Sequence, residues 1–249
     1  MSGHSKWSTI KRKKGALDAK RSKIFSRVSK EITIAVKEGG SADPDANPRL
    51  RLAIQNAKGV NMPKDNIARA VSKAEKDDSS FEEVTFEGYA THGVAVFVEC
   101  LTDNNNRTVS SVRSAFVKNG GNLGTNGSLG FIFDRKGIFS IPKGDIDVEE
   151  FELEIIDAGV EDFEVDDNSI QITSALEDFG SVAKKLEEMG VEPESQQLQR
   201  LPNTTKELDV DNSLKVMKLI DTLEDNDDVQ HVFHNLEMTE ELQKALEED

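Results

Sequence analysis

The chain lacks the disulfides that stabilise small secreted proteins and the long apolar runs that anchor membrane proteins. Its 249 residues include one cysteine, Cys100, so no internal disulfide can form, which favours a reducing compartment such as the cytoplasm. No apolar run approaches the roughly 18 residues of a membrane span. The basic N-terminus is not followed by an apolar stretch, so we expect neither a transmembrane helix nor a signal peptide.

The sequence also lacks a recognisable catalytic or cofactor-binding pattern. No Ser–His–Asp arrangement stands out, and the glycines of residues 119–127 do not have the spacing of a phosphate-binding loop. His231 and His234 lie in a segment typical of a strand, where residues three apart have side chains on opposite faces. The two histidines are therefore not expected to bind one metal ion together. Cys100 lies in an apolar segment and is predicted to be a core residue. We therefore expect a non-enzymatic protein without a metal or a cofactor.

Charge, in contrast, is abundant and unevenly distributed. The net charge of the whole chain is -16, yet residues 1–76 hold 18 Lys and Arg against 7 Asp and Glu. Residues 77–249 hold 13 basic and 40 acidic residues. Within residues 1–30 a single acid, Asp18, accompanies ten cations. This asymmetry predicts a basic part that meets a polyanion and an acidic part that is repelled by it.

Apolar residues at helical spacing predict a small helical bundle at the N-terminus. The expected helices cover about 19–38, 47–59 and 64–76. Ile24, Val28 and Ile32 are predicted to mark the inner face of the first helix, which Gly39 and Gly40 should end.

After residue 80 the apolar period changes to two, which predicts strands. The elements expected in residues 81–135 are strands at 81–89, 93–101 and 129–134 and a helix at 105–119. A strand–helix–strand–strand–helix–strand order follows at about 137–141, 147–158, 161–166, 169–174, 178–189 and 195–201. That order is typical of a ferredoxin-like fold. The remaining predictions are strands at 206–210 and 229–235 and helices at 212–224 and 239–248. The fold class is therefore α+β.

The basic N-terminal segment predicts a surface that grips a phosphate backbone. Binding gains from released counterions grow with the number of phosphates neutralised, so closely spaced cations favour it. The candidate residues of the arm and first helix are Lys6, Lys11, Arg12, Lys13, Lys14, Lys20, Arg21, Lys23, Arg27 and Lys30. Trp7 could stack on a base or anchor the arm by burial. The alternative for the cations is a solvated surface.

A second group of cations surrounds the Asn61-Met62-Pro63 turn. Its members are Arg49, Arg51, Lys58 and Lys64. Lys64 and Asn66, near a helix start, could meet a phosphate through free backbone N–H groups, whereas the alternative is a capping turn with proline near the first helical position. Residues 103–107 follow a predicted strand and precede a helix, a place where ligand sites are common. The pattern favours the alternative, an Asn-rich turn and helix cap with Arg107 in a structural ion pair.

Several irregular blocks spread along the chain carry a family resemblance. They are GHSKW at 3–7, NPRLR at 47–51, NMPKDNI at 61–67, LTDNNNRT at 101–108 and KNGGNLG at 118–124. In these blocks the chain resembles the YebC/PmpR family, described as probable transcriptional regulatory proteins. The resemblance covers essentially the whole length.

The resemblance implies three domains and a regulatory function. We expect a basic helical domain at 1–80, a discontinuous middle α/β domain at 81–135 plus 204–249, and a ferredoxin-like domain inserted at 136–203. The family includes proteins described as binding promoter DNA and others described as ribosome-bound translation factors. The expectation is a cytoplasmic DNA-binding transcriptional regulator with no membrane partner. The alternative is a ribosome-associated translation factor that binds ribosomal RNA.

Overall fold

The computed structural model describes residues 17–76 and 81–248, with side chains from 21–76 and 81–246. Its N-terminal helices are α1 (Leu17–Gly39), α2 (Pro48–Gly59) and α3 (Lys64–Lys76), within two residues of their predicted bounds. They bury one shared apolar cluster, in which Val28 and Ile32 lie on the inner face of α1 as predicted. Ile24 was predicted wrongly, because it is 42% exposed and the buried cluster begins farther along the helix.

Strands and helices alternate through the rest of the chain. From residue 81 the elements are β1 (Glu82–Tyr89), β2 (Ala95–Thr102), α4 (Asn105–Lys118), β3 (Asn122–Leu123), β4 (Phe133–Pro142), α5 (Val148–Ile155), β5 (Val160–Val165) and β6 (Ser169–Ala175). They continue with α6 (Phe179–Glu188), β7 (Ser195–Pro202), α7 (Val210–Glu224), β8 (Val229–His234) and α8 (Glu240–Glu248). Short 3₁₀ turns cover Thr91–Gly93 and Ile156–Ala158.

The strands form two four-stranded sheets. The first sheet has the order β3-β1-β2-β8, and its three pairings are antiparallel. One face of this sheet packs in a large core with α4, α7 and α8, and Phe97, Phe133 and Phe233 lie in a smaller cluster on the other face. The second sheet has the order β5-β6-β4-β7. Helices α5 and α6 cover its one face around Phe139 and Ile172.

The predicted fold class is confirmed. A helical N-terminal segment precedes two antiparallel α/β parts, and the strand order of the second sheet is that of a ferredoxin-like fold. The described residues separate into two compact units, one drawn from ranges 17–23, 81–134 and 201–248, the other from 24–76 and 135–200. The division into three domains stays a prediction.

Two predicted strands differ from the structure. Residues 126–132 form turns rather than the start of a strand at 129–134, and β4 runs without interruption from Phe133 to Pro142. Residues 206–210 make only an isolated parallel bridge between Lys206 and Leu236. None of the helices in the described ranges has the length and apolar character needed to span a membrane.

Candidate nucleic-acid interface

Much of the predicted basic arm lies outside the residues that the structure describes. This holds for Lys6, Trp7, Lys11, Arg12, Lys13 and Lys14, and for the side chain of Lys20. Their contacts with nucleic acid stay predictions. The described part of the candidate interface begins at Arg21, in the second turn of α1.

Helix α1 presents its remaining cations away from the bundle core. Arg21 is exposed, and Lys23, Arg27 and Lys30 are half-buried. Spacings of four and three residues place the last three on one helix face, as predicted. The Nζ of Lys23 lies 3.0 Å from the Oδ1 of Asp225. Asp225 is exposed, and an exposed pair of this kind contributes about 0–1 kcal/mol, so a phosphate can compete for the lysine.

Asn47 fixes the start of α2 against the end of α1. Its buried side-chain amide donates to the carbonyl oxygens of Ala35 and Ser41, both at 2.8 Å. Its Oδ1 accepts a hydrogen bond from the N–H of Leu50 at 3.1 Å, which caps α2. Gly39 leaves space for this amide, because a Cβ there would lie 2.2 Å from its Nδ2. Asn47 therefore helps to fix the position of α2 and of the cations that it carries.

Arg49 and Arg51 are engaged within the helical segment. Arg49 forms an ion pair with Glu38 at the end of α1. Arg51 donates from Nε to the carbonyl of Pro44 at 3.1 Å and from Nη2 to that of Asp45 at 3.0 Å. Both guanidinium groups thus hold the α1–α2 connection. Their predicted phosphate contacts stay predictions, and the structure adds this second role.

Lys58 and Lys64 flank the turn between α2 and α3. Both are exposed, and neither side chain forms a hydrogen bond or ion pair within the part of the chain that the structure describes. Asn61 adopts a positive φ of 57°, and its N–H donates to the carbonyl of Lys58 at 2.8 Å. Met62 is buried and anchors the turn. The two lysines are therefore held in place by the backbone while their ammonium groups face solvent.

The capping interpretation of this turn is confirmed. The N–H groups of Asn66 and Ile67 donate to the carbonyl of Pro63 at 2.9 and 3.1 Å. The hypothesis that Asn66 offers a free N–H to a phosphate is therefore wrong. The predicted phosphate contacts of Lys64, through its side chain or its backbone N–H, stay predictions.

The Asn-rich segment before α4 serves the fold, as its sequence indicates. The Oδ1 of Asn104 accepts from the N–H of Arg107 at 3.1 Å and caps the helix. Arg107 donates from Nη2 to the buried Asp228 at 2.8 Å and to Asp103 at 2.8 Å. The hydrogen bonds that Arg107 donates to Asp228 and Asp103 raise its pKa above the ordinary value. The Oγ1 of Thr108 donates to Asp228 at 2.9 Å and completes the network.

Sequence reasoning missed Glu87, which organises the glycine-rich loop before β4. This glutamate is buried in β1, where its carboxylate accepts from the N–H of Gly127 at 2.7 Å and from that of Leu129 at 2.6 Å. The signal available was an acid directly after Phe86 in a predicted strand, because an acid that is buried there requires nearby donors. The loop is consequently tied down at its centre rather than only at its ends.

His231, His234 and Cys100 all lie in the first sheet. His231 pairs with Glu99 and His234 with Val96, which places the two imidazoles on opposite faces as predicted. His234 is buried, and burial lowers its pKa to about 4. Cys100 is buried in the larger core of this sheet, so its assignment as a core residue is confirmed.

Known protein domains match both parts of the chain. The N-terminal domain of TACO1/YebC proteins matches residues 5–77, and their second and third domains match residues 81–236. The chain belongs to the TACO1/YebC family. The resemblance seen in the sequence blocks is thereby confirmed.

Family members with known names or structures resemble the chain over nearly its full length. A "probable transcriptional regulatory protein" of Amoebophilus asiaticus is 55% identical over 240 residues, which cover 95% of this chain and 98% of the relative. A protein of the same description from Geobacillus kaustophilus is 49% identical and covers 95% and 98%. The crystal structure of a conserved hypothetical protein from Aquifex aeolicus has a TM-score of 0.79 and 42% identity, covering 90% of this chain and 93% of that one.

Proposed function

We propose that this protein is a cytoplasmic, non-enzymatic regulator of gene expression that binds nucleic acid through its basic N-terminal part. The observation that carries the proposal is the charge separation: 18 cations against 7 acids in residues 1–76, and 13 against 40 in the remainder. The basic part would attract a phosphate backbone, while the acidic part would be repelled by it and thereby orient the protein.

Two groups of cations in the described part of the chain support a nucleic-acid-binding surface. Lys58 and Lys64 are exposed beside a backbone-fixed turn, and the cations of α1 lie opposite its apolar face. Arg49 and Arg51 stabilise the helical segment that carries these lysines. Phosphate contacts position a protein without reading sequence, so we expect weak sequence selectivity unless base contacts are added elsewhere.

Duplex DNA is the target that we propose, with transcription as the regulated step. Support comes from the names of the curated relatives, which call them probable transcriptional regulatory proteins. A ribosome-associated translation factor, which would bind ribosomal RNA through the same cations, is the alternative outcome of the test.

The test is crosslinking in cells, purification of the protein, and sequencing of the DNA and RNA recovered with it. The decisive variant changes Lys11, Arg12, Lys13 and Lys14 to Glu. The matched control makes the same charge change at four exposed lysines of the acidic part, Lys184, Lys215, Lys218 and Lys244. We expect promoter-proximal DNA to be enriched with the native chain and the control, and to be lost with the arm variant.

Two results would overturn parts of the proposal. Recovery dominated by ribosomal RNA, again lost in the arm variant, would make the protein a translation factor and remove the promoter reading. Equal recovery with the arm variant and the native chain would show that the arm is not the phosphate grip. Purified protein should agree, with the arm variant showing lower affinity and a flatter dependence of log K on log salt concentration.

A further inference from the structure

Helix α5 and the 3₁₀ turn after it carry apolar side chains on two sides. Phe151 and Ile155 are buried against the second sheet. Leu153 is 75% exposed and Ile156 is 51% exposed. A spacing of three residues makes the exposed pair neighbours on the outer surface. Single exposed apolar residues are ordinary, whereas contiguous apolar surface with a polar rim is typical of interaction sites.

Carboxylates surround this apolar pair. The exposed acids of the segment are Glu149, Glu150, Glu152, Glu154 and Asp157. Within the described residues, none of these five forms an ion pair. Residues 144–183 contain 14 Asp and Glu and no Lys, Arg or His. The local field therefore repels nucleic acid and attracts cations.

A shallow cavity of about 250 Å³ continues the surface beyond Ile156. Its apolar lining includes Ile155, Val160 and Phe163, and its acidic lining is Glu152, Glu161 and Asp162. Glu161 also receives Lys136, whose Nζ lies 2.7 Å from its carboxylate. An apolar floor with an acidic rim suits a lysine or arginine, because such a side chain packs its stem on apolar surface and keeps its charge at a polar edge.

We propose that the outer face of α5, from Glu149 to Asp157, binds a basic amphipathic helix of another protein. Apolar side chains of the partner cover Leu153 and Ile156, and its flanking Lys or Arg residues pair with the surrounding carboxylates, one of them entering the cavity. A second copy of this face is excluded as occupant by like charge, and nucleic acid is excluded for the same reason. The surface thus gives the protein a protein partner in addition to its proposed nucleic-acid target.

The test uses defined peptides with the full-length chain. The probe is a fluorescent 14-residue helix of Leu and Lys, with leucines along one face. A Ser–Lys peptide of equal charge and a Leu–Glu peptide of equal pattern are the comparisons. Fluorescence anisotropy at about 0.15 M salt should show binding of the Leu–Lys peptide alone, since long-range attraction is screened at that ionic strength.

Variants at exposed positions locate the binding. We expect Leu153→Ser with Ile156→Ser to weaken affinity by about tenfold or more, because apolar contact area is lost. Glu149→Gln with Glu152→Gln should weaken it less and flatten its salt dependence. Val117→Ser is the matched control, since Val117 is 63% exposed on α4, far along the chain from α5. Unchanged thermal melting would confirm that each variant is folded.

The proposal is overturned by any of three results. The Leu–Lys peptide fails to bind, or it binds the Leu153/Ile156 variant as tightly as the native chain, or the Ser–Lys peptide binds equally well. The arm variant with Glu at 11–14 should keep its peptide affinity. This separates failure of the α5 surface from failure of the proposed nucleic-acid function.

Discussion

The side chain of Asn56 pairs with the backbone of Gln196 at two points. Its Nδ2 donates to the carbonyl of Gln196 at 3.1 Å, and its Oδ1 accepts from the N–H of Gln196 at 3.1 Å. Gln196 lies on β7, an edge strand of the second sheet. An asparagine on α2 therefore occupies the place of a neighbouring strand and shields part of an otherwise open edge.

Replacing Asn56 by Ala should destabilise the unit that contains α2 and β7. Both polar backbone groups of the buried Gln196 would lose their partner, which costs about 1–3 kcal/mol. Urea unfolding measures the loss. The control is Asn105→Ala, at an exposed position of α4. Equal stability of the two variants would contradict a structural role for the Asn56 amide.

Replacing Glu87 by Ala should release the glycine-rich loop. The N–H groups of Gly127 and Leu129 would lose a charged acceptor, and we expect a loss of about 2 kcal/mol in the free energy of unfolding. Hydrogen exchange should accelerate at these two amides before it does in β1. Glu83→Ala, an exposed acid of the same strand, is the control and should leave the exchange rates of the loop unchanged.

Acid should destabilise the first sheet through His234. Burial lowers the pKa of this imidazole from 6.5 to about 4, and a backbone hydrogen bond at Leu236 acts in the opposite direction. The unfolded chain then binds the proton more readily, so stability is complete above pH 6.5 and falls as the pH drops toward 4. Near pH 4 the loss in the free energy of unfolding reaches about 3 kcal/mol.

Urea unfolding across this pH range checks the effect. His234→Leu should flatten the stability profile, whereas His231→Leu, on the other face of β8, should keep its slope. An identical slope in the native chain and in His234→Leu would assign the acid sensitivity to other groups.

The paired variant Lys58→Gln and Lys64→Gln should weaken nucleic-acid binding without loss of stability. Both lysines are exposed. If each contacts one phosphate, the slope of log K against log salt should shrink by about 2. Lys218→Gln with Lys244→Gln removes the same charge from the acidic part and serves as the control. Slopes that match the native value in both paired variants would remove this turn from the interface.

Local patterns predicted the helices and the ferredoxin-like order well, because each depends on periodicity within a short segment. These patterns failed where contacts outside the segment determine its secondary structure. The segment Arg135-Lys136-Gly137 looks like a break between strands, yet β4 passes straight through it. Gly137 is required there by close packing, since a Cβ would lie 2.5 Å from the Oγ of Ser174.

Contacts between residues distant in sequence could not be predicted. The glycine at position 59 indicates a helix end, which is correct. Its further role is visible only in the structure, because a Cβ there would lie 1.6 Å from the carbonyl oxygen of Glu194. The site followed the same pattern: periodicity located the cations of α1, but only the fold separated the internally engaged Arg51 from the exposed Lys58 and Lys64.

The glycine-rich loop before β4 is held through its main chain, which leaves its exposed side chains open to substitution. Glu87 binds main-chain N–H groups of Gly127 and Leu129 rather than side chains. Thr125 and Asn126 at the loop tip are exposed, so we expect substitutions there to leave the path of the backbone unchanged. The loop is therefore a suitable place to graft a recognition sequence. Its backbone conformation is fixed by the buried Glu87, whereas its exposed side chains are free to vary.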